Sequence, residues 1–539
     1  MSSSSQSPSP FVFSPSQIWD GNDGSWSTFI LRIGTPAQTF RVLPSTAGQE
    51  IFVPVPEGCL PSDPQNCGEL RGVYPFRGQQ TGFQSNQSST WKLIGLYDLV
   101  LERNLNYSGN GMYGLENVGL MVDGDVTLEN QIVAGIATKD FYLGILGLGP
   151  KPSNFSDFEN PQPSLMQTLR DKDMIPSLSY AYTAGAPYHI PKALGSLTLG
   201  GFDQSKFDAP SSPIPFPFSS DDSRSLSVGI QGITAFNTLE GTITLSDASN
   251  PILALIDSTV PHLWLPRSVC DKFEAALGLA YDPHTDFYLF NNSSTYDTFL
   301  RNKPSVVITL GNDNDPSKLV RITLPSAAFD LHASYPIYAN STSYFPIRRA
   351  ANDSQYTLGR AFLQEAYVIA DYERSSFSVH QVRDGPHEAD IIAIHPPGSQ
   401  QGTPPEPPPI SSKRTLSTGA IVGISIGSTL AVILLAALLY MYFRKIRVVA
   451  TLELRHEGEP PDSDIVHQDR DPGEEAMGEP RYEMEETRSE MAHSVDPTKP
   501  GNTQVELDSP GLYLLSDDAR RHELPGSDVR SPIPAIVIH

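Results

Sequence analysis

Leu255-Ile256-Asp257-Ser258-Thr259-Val260-Pro261-His262-Leu263-Trp264-Leu265-Pro266 decides the fold, because its pattern stands once more in the chain, 212 residues earlier. The earlier copy is Leu43-Pro44-Ser45-Thr46-Ala47-Gly48-Gln49-Glu50-Ile51-Phe52-Val53-Pro54. Both run from an apolar strand into a sharp turn of small residues, then into a second apolar strand that stops at proline. In each copy the second strand begins six residues past the turn head, at Ile51 after Ser45 and at Leu263 after Asp257. A second matched pair fixes the repeat length: Ile145-Leu146-Gly147 and Thr357-Leu358-Gly359 both end 102 residues after their turn heads. Two lobes of like construction are expected.

Around this repeat, the 539 residues suffice for a two-lobed domain with appended segments, and 48 prolines with 41 glycines suit many short strands and tight turns. A formal net charge of −24 argues against a nucleic-acid partner and suits a secreted or surface protein. Strands begin near Trp26-Ser27-Thr28-Phe29-Ile30-Leu31-Arg32-Ile33, whose alternation predicts a half-buried sheet.

With these motifs the chain resembles the pepsin-type (A1) aspartic peptidases. There, two β lobes each carry an Asp-Thr/Ser-Gly turn with an apolar-apolar-Gly segment threaded beneath it. Ile33-Gly34-Thr35-Pro36, Leu199-Gly200-Gly201-Phe202-Asp203 and Phe362-Leu363 through Ala370-Asp371 match in the same order. The resemblance covers residues 16–385 and implies an all-β, bilobal fold with pseudo-twofold-related lobes and no metal or cofactor. The domain is set at 16–395, with the lobe boundary near 200–215 and a disordered N-terminus at 1–15.

The catalytic position departs from the family. Its chemistry needs two facing aspartates, one ionised to take a proton from water and one protonated to donate to the scissile carbonyl. Asp257 supplies one, and the partner position is Ser45; no Asp or Glu lies between Asp23 and Glu50. A serine hydroxyl can hydrogen-bond Asp257 or hold a water but cannot be the second acid-base group. Losing one such group removes about 10²- to 10⁴-fold of rate, and more where two act as one unit. Thr259 and Ala47 replace the family's turn glycines. A β-branched Thr259 is expected to relax the interlocked turn geometry known as the fireman's grip. Thr46, Ser258 and Thr259 are the expected substrate-side turn residues. The resemblance implies a flap tyrosine, assigned to Tyr107 in a Gly/Asn/Ser hairpin tip, with Tyr113 as the rival.

The remaining segments bear on compartment. Met1–Pro10 is Ser/Pro-rich without an apolar h-region, so no signal peptide is visible and an upstream exon is expected to carry it. The resemblance implies a disulfide between Cys59 and Cys67, the alternative being two free thiols of a cytosolic loop; Cys270 is read as a buried core thiol. Sequons begin at Asn86, Asn106, Asn154, Asn291, Asn292, Asn340 and Asn352, all ahead of residue 418. Residues 396–418 form a Pro-rich spacer and 419–443 an uncharged span long enough to cross a bilayer as a single transmembrane helix. Gly419, Gly423 and Gly427, spaced four apart, would let two such helices approach. Basic residues flank the span on both sides, slightly favouring a cytoplasmic C-terminus. Residues 444–539 form an acidic tail expected to be disordered, with docking sites for unidentified cytosolic partners.

The expectation is a single-pass type I membrane protein of fungal cell-surface type, its ectodomain extracellular or lumenal. The leading reading is a catalytically inactive or very weak aspartic-peptidase relative that binds a peptide or protein ligand in its cleft, as a sensor would. The runner-up is an active, membrane-anchored acid endopeptidase.

Overall fold

A computed structural model describes residues 8–398, apart from 75–80, 158, 210–213, 313–314 and 316–317. The two quoted stretches build the same three-stranded unit. Strand Gln38–Ser45 runs parallel to Gly144–Gly147, with Ser45 opposite Gly147, and Gly144–Gly147 runs antiparallel to Ile51–Pro54. In the second lobe Ile252–Ile256 runs parallel to Thr357–Leu358, which runs antiparallel to Leu263–Pro266. The matched glycines exist for close backbone approach. A Cβ on Gly147 would lie 2.5 Å from the backbone of Gln49 and Glu50, and one on Gly359 would lie 2.4 Å from the carbonyl oxygen of His262.

Each unit sits inside an eight-stranded sheet, and a six-stranded sheet joins the lobes. That joining sheet takes Phe11–Phe13 from the start of the chain, Ser179–Thr183 and Ser196–Leu199 from its middle, and Ala366–Asp371 and Ser376–Gln381 from its end. Phe11–Phe13 is therefore an ordered strand, so the fold starts ahead of the boundary expected at residue 16. Its pairing with Ser196–Leu199 gives those backbone groups partners that no local pattern announces.

Trp26–Ile33 is not half-buried, as its alternation suggested, but covered on both faces. It pairs with Pro15–Asp20, Gln38–Ser45 and Asn110–Leu120 and so runs through the centre of its lobe. Helix Arg267–Leu277 buries Val269, Cys270, Phe273, Ala276 and Leu277 on one face and stops at Gly278, whose φ of 67° suits glycine. Burial pushes the Cys270 thiol up to about 12, which keeps it unreactive. Among the described residues no helix is long and apolar enough to cross a membrane; the expected span 419–443, most of the spacer and the tail lie outside them.

Candidate functional site

The two turns meet at the lobe interface and lock together. The Thr46 amide donates to Ser258 Oγ at 3.0 Å and the Ser258 amide donates to Thr46 Oγ1 at 3.0 Å. Each hydroxyl then donates to a carbonyl of the other lobe, Thr46 Oγ1 to Ile256 and Ser258 Oγ to Pro44. The grip is intact, against the expectation drawn from Thr259. It is made by the residue after each turn head, and neither Ala47 nor Thr259 has the positive φ that would have demanded glycine. Thr46 and Ser258 thus hold the turns together.

At the turn heads a chain of hydroxyls stands where the resemblance would put two facing carboxylates. Thr259 Oγ1 donates to Asp257 Oδ1 at 2.6 Å, and the Thr259 amide donates to the same oxygen at 2.8 Å. Because that hydroxyl's proton is committed, Ser45 Oγ donates to Thr259 Oγ1 at 2.6 Å, while the Gly48 amide donates to Ser45 Oγ at 2.7 Å. Every donor in the chain points toward Asp257. Burial raises the Asp257 carboxyl above its ordinary value, and the two Thr259 bonds pull against that rise. Glu50, the nearest acid in sequence to Ser45, is turned away: it accepts from Tyr113 Oη at 2.8 Å and Ser153 Oγ at 2.6 Å.

Two residues that sequence reasoning missed complete the site. Arg360 is buried behind the second turn, donating to the carbonyls of Ser258 at 3.0 Å and Thr259 at 2.7 Å. It also pairs with Asp23 of the other lobe at 3.0 Å and lies 4.7 Å over the Trp26 ring. A lone charge in the apolar run Thr357-Leu358-Gly359-Arg360-Ala361-Phe362-Leu363 was the available signal.

The other is Glu102. Strands Lys92–Asp98 and Asn110–Leu120 form the flap hairpin, closed at its tip by the Leu99 amide donating to the Gly109 carbonyl at 2.9 Å. The tip reaches the second lobe. Asn104 Nδ2 donates to the Ser354 carbonyl at 3.0 Å, Gln355 Nε2 donates to the Asn104 carbonyl, and Leu105 packs with Val260 and Trp264. Glu102, at φ 53°, turns its buried side chain inward to face Asp257. Burial, and then the charge of Asp257, raises its carboxyl well above the usual range.

Tyr107 packs its ring 5.4 Å from Phe141 and against the Leu105 cluster. Its rival Tyr113 is bound to Glu50, away from Asp257. The loop lines two cavities. Leu101–Asn104 border one of about 600 Å3 with Ala47, Glu50 and Arg224. Leu105–Tyr107 border another of about 420 Å3 with His262, Phe287 and Arg348.

Cys59 and Cys67 form a disulfide, and all seven sequon asparagines are exposed. Inside the disulfide loop Asp63 binds Lys139 at 2.6 Å and accepts from Tyr335 Oη of the second lobe. These bonds, Lys139 first, hold its carboxyl down to about 2.

The family model described as eukaryotic aspartyl protease matches residues 28–382. The chain is 22% identical to secreted aspartic protease 6 of Candida albicans, over 68% of this chain and 78% of that protein. It is 23% identical to the probable aspartic-type endopeptidase opsB of Aspergillus fumigatus, over 74% and 77%. It is 25% identical to barrierpepsin of Saccharomyces cerevisiae, over 69% and 63%.

Proposed function

This chain belongs to the eukaryotic aspartyl protease family, and from that premise we propose that it binds a peptide or protein ligand in the cleft between its lobes without hydrolysing it at an enzymatic rate. The observation that carries this is the hydroxyl chain Ser45–Thr259–Asp257, which puts a group with no titration near working pH where a second carboxyl is needed. Thr259 further commits Asp257 Oδ1, so that oxygen is spent on the turn and not on a water. An extended ligand would add as a strand along the flap. Attachment by residues 419–443, with the cleft on the extracellular or lumenal side, is part of the same reading; the disulfide and the exposed sequons support it.

The second reading, an acid endopeptidase, has one observation in its favour: the Glu102 carboxyl lies against Asp257. The burial of Asp257 counts the other way, because its Oδ2, the oxygen left free by Thr259, is closed off from a substrate.

Cleavage of a mixed peptide library between pH 3 and 6, and binding of the inhibitor pepstatin, are compared for the parent, Asp257→Ala, and Ser45→Asp with Thr259→Gly. The parent should leave the library uncleaved throughout, its peptide binding being read separately at pH 8, and the double substitution should gain cleavage or inhibitor binding. Parent cleavage that Asp257→Ala abolishes would overturn the proposal.

A further inference from the structure

Glu102 and Asp257 come from different lobes, and each buries one carboxyl oxygen that no protein donor reaches, Oε2 of Glu102 and Oδ2 of Asp257. The two carboxyls lie within hydrogen-bonding reach of each other. Two ionised carboxylates have only acceptors, so a bond here exists only with a proton between them. In so buried a place the pair cannot carry two charges.

Around Glu102 the cavity wall brings Glu50 and Lys151 from the first lobe, Asp221, Asp222 and Arg224 from the crossover, and Arg103 from its own loop. Arg360 and Tyr180 act on Asp257 from behind. None of these cations neutralises the pair by contact: Arg103 pairs with Asp98 and Lys151 with Asp222. Arg224 donates to the carbonyls of Ser354 and Tyr356, and Arg360 is held by Asp23 and the turn carbonyls.

The same loop is the strap that closes the cleft. For a ligand to lie over Asp257, Leu99–Gly109 must lift, which breaks the Asn104 bonds to the second lobe, withdraws Leu105 from Val260 and Trp264, and parts Glu102 from Asp257. Only the last of these contacts depends on a proton.

We propose that the Glu102–Asp257 carboxyl pair is a proton-dependent latch that holds the cleft shut in acid and frees it as the pH rises. The proposal rests on the reading of the cleft as a ligand site. The sign follows from linkage. With the loop down, the pair binds its proton more tightly than Glu102 would in water. The latch is therefore fully formed below the free carboxyl value of about 4.3 and is lost as pH rises through the raised value of the closed pair. Across that window the open fraction grows by at most about tenfold per pH unit.

Hydrogen exchange by mass spectrometry reads the latch without any ligand. In the full-length chain, protection of the loop amides Leu99, Arg103, Leu105, Asn106 and Tyr107 is followed from pH 4.5 to 8 and corrected for intrinsic exchange. The parent should lose at least tenfold of that protection, while strand Gly144–Gly147 stays constant. Glu102→Gln, whose amide donates to Asp257 at every pH, should stay protected with no pH step, and Asp257→Asn should lose the step as well. A parent profile flat in pH, or a step that survives in Glu102→Gln, overturns the latch. So does peptide cleavage by the parent that Glu102→Gln abolishes, which would make Glu102 a working acid. If the loop opens with pH and the peptide library still fails to bind at pH 8, the latch stands and the ligand-site reading falls. If peptides bind while loop protection stays flat, the reverse holds.

Discussion

Replacing Arg360 with methionine tests whether the second turn is held from behind by a buried cation. Arg360 is 2% exposed and its partner Asp23 18% exposed, so the pair sits where losing one member is costly. The substitution leaves Asp23 with the Trp26 indole at 2.6 Å as its remaining side-chain donor, and strips two hydrogen bonds from the Ser258 and Thr259 carbonyls. Breaking a buried pair from one side costs about 3–5 kcal/mol. Unfolding residues 8–398 at about 2.1 cal/mol/K per residue corresponds to about 0.8 kcal/mol/K. The expected fall in Tm is therefore about 4–6 °C. Arg267, 72% exposed in its pair with Asp271, supplies the control: Arg267→Met should cost about 0–1 kcal/mol, near the limit of detection. Differential scanning calorimetry reads both. Adding Asp23→Asn to Arg360→Met should recover part of the loss, because the stranded charge goes with it. A fall in Tm below about 1 °C, or one no larger than that of Arg267→Met, would refute the account of Arg360 as the brace of the turn.

Two further outcomes are expected. His380, stacked 4.0 Å from Phe207, is pulled down by burial from 6.5 to about 4. The unfolded chain thus binds the proton first, and stability that is complete above pH 6.5 declines as pH falls toward 4, by about 3 kcal/mol at most. His380→Phe, which keeps the stack, should flatten this decline in Tm measured against pH, leaving the part that comes from His262, likewise held neutral by burial. A slope unchanged by the substitution would count against the assignment. Replacing Cys59 and Cys67 together with serine opens a loop of eight residues' separation and should cost about 2–3 kcal/mol in denaturant unfolding. A loss under about 1 kcal/mol would mean that Asp63, bound to Lys139 and Tyr335, holds the loop by itself.

What the sequence made legible was what backbone geometry imposes locally. The turn heads Ser45 and Asp257, their paired outgoing strands, and the glycines Gly147 and Gly359 recur at one spacing because at both places a Cβ would lie 2.4–2.5 Å from neighbouring backbone, and only glycine avoids that. The expectation of a loosened grip failed for a related reason. Thr259 was judged by the residue it replaces, whereas the grip is carried by Thr46 and Ser258, and Thr259 needs no positive φ. The strand Phe11–Phe13 escaped because its partner lies far along the chain at Ser196–Leu199, and Ser/Pro-rich surroundings hide a three-residue strand.

Glu102 was hidden more deeply. A search for a second acid between Asp23 and Glu50 follows the family's logic, in which both carboxyls belong to the repeat. The carboxyl that faces Asp257 lies outside the repeated turns, on a loop aimed by two left-handed residues, Glu102 at φ 53° and Asn106 at φ 66°. Such conformations are uncommon for residues with a Cβ and persist where surrounding contacts over-determine them. Here those contacts are Asn104 with Ser354 and Leu105 with Trp264, all made to the other lobe. A loop of this shape is therefore a product of the closed cleft, and its acidic residue acquires a partner only when the two lobes meet.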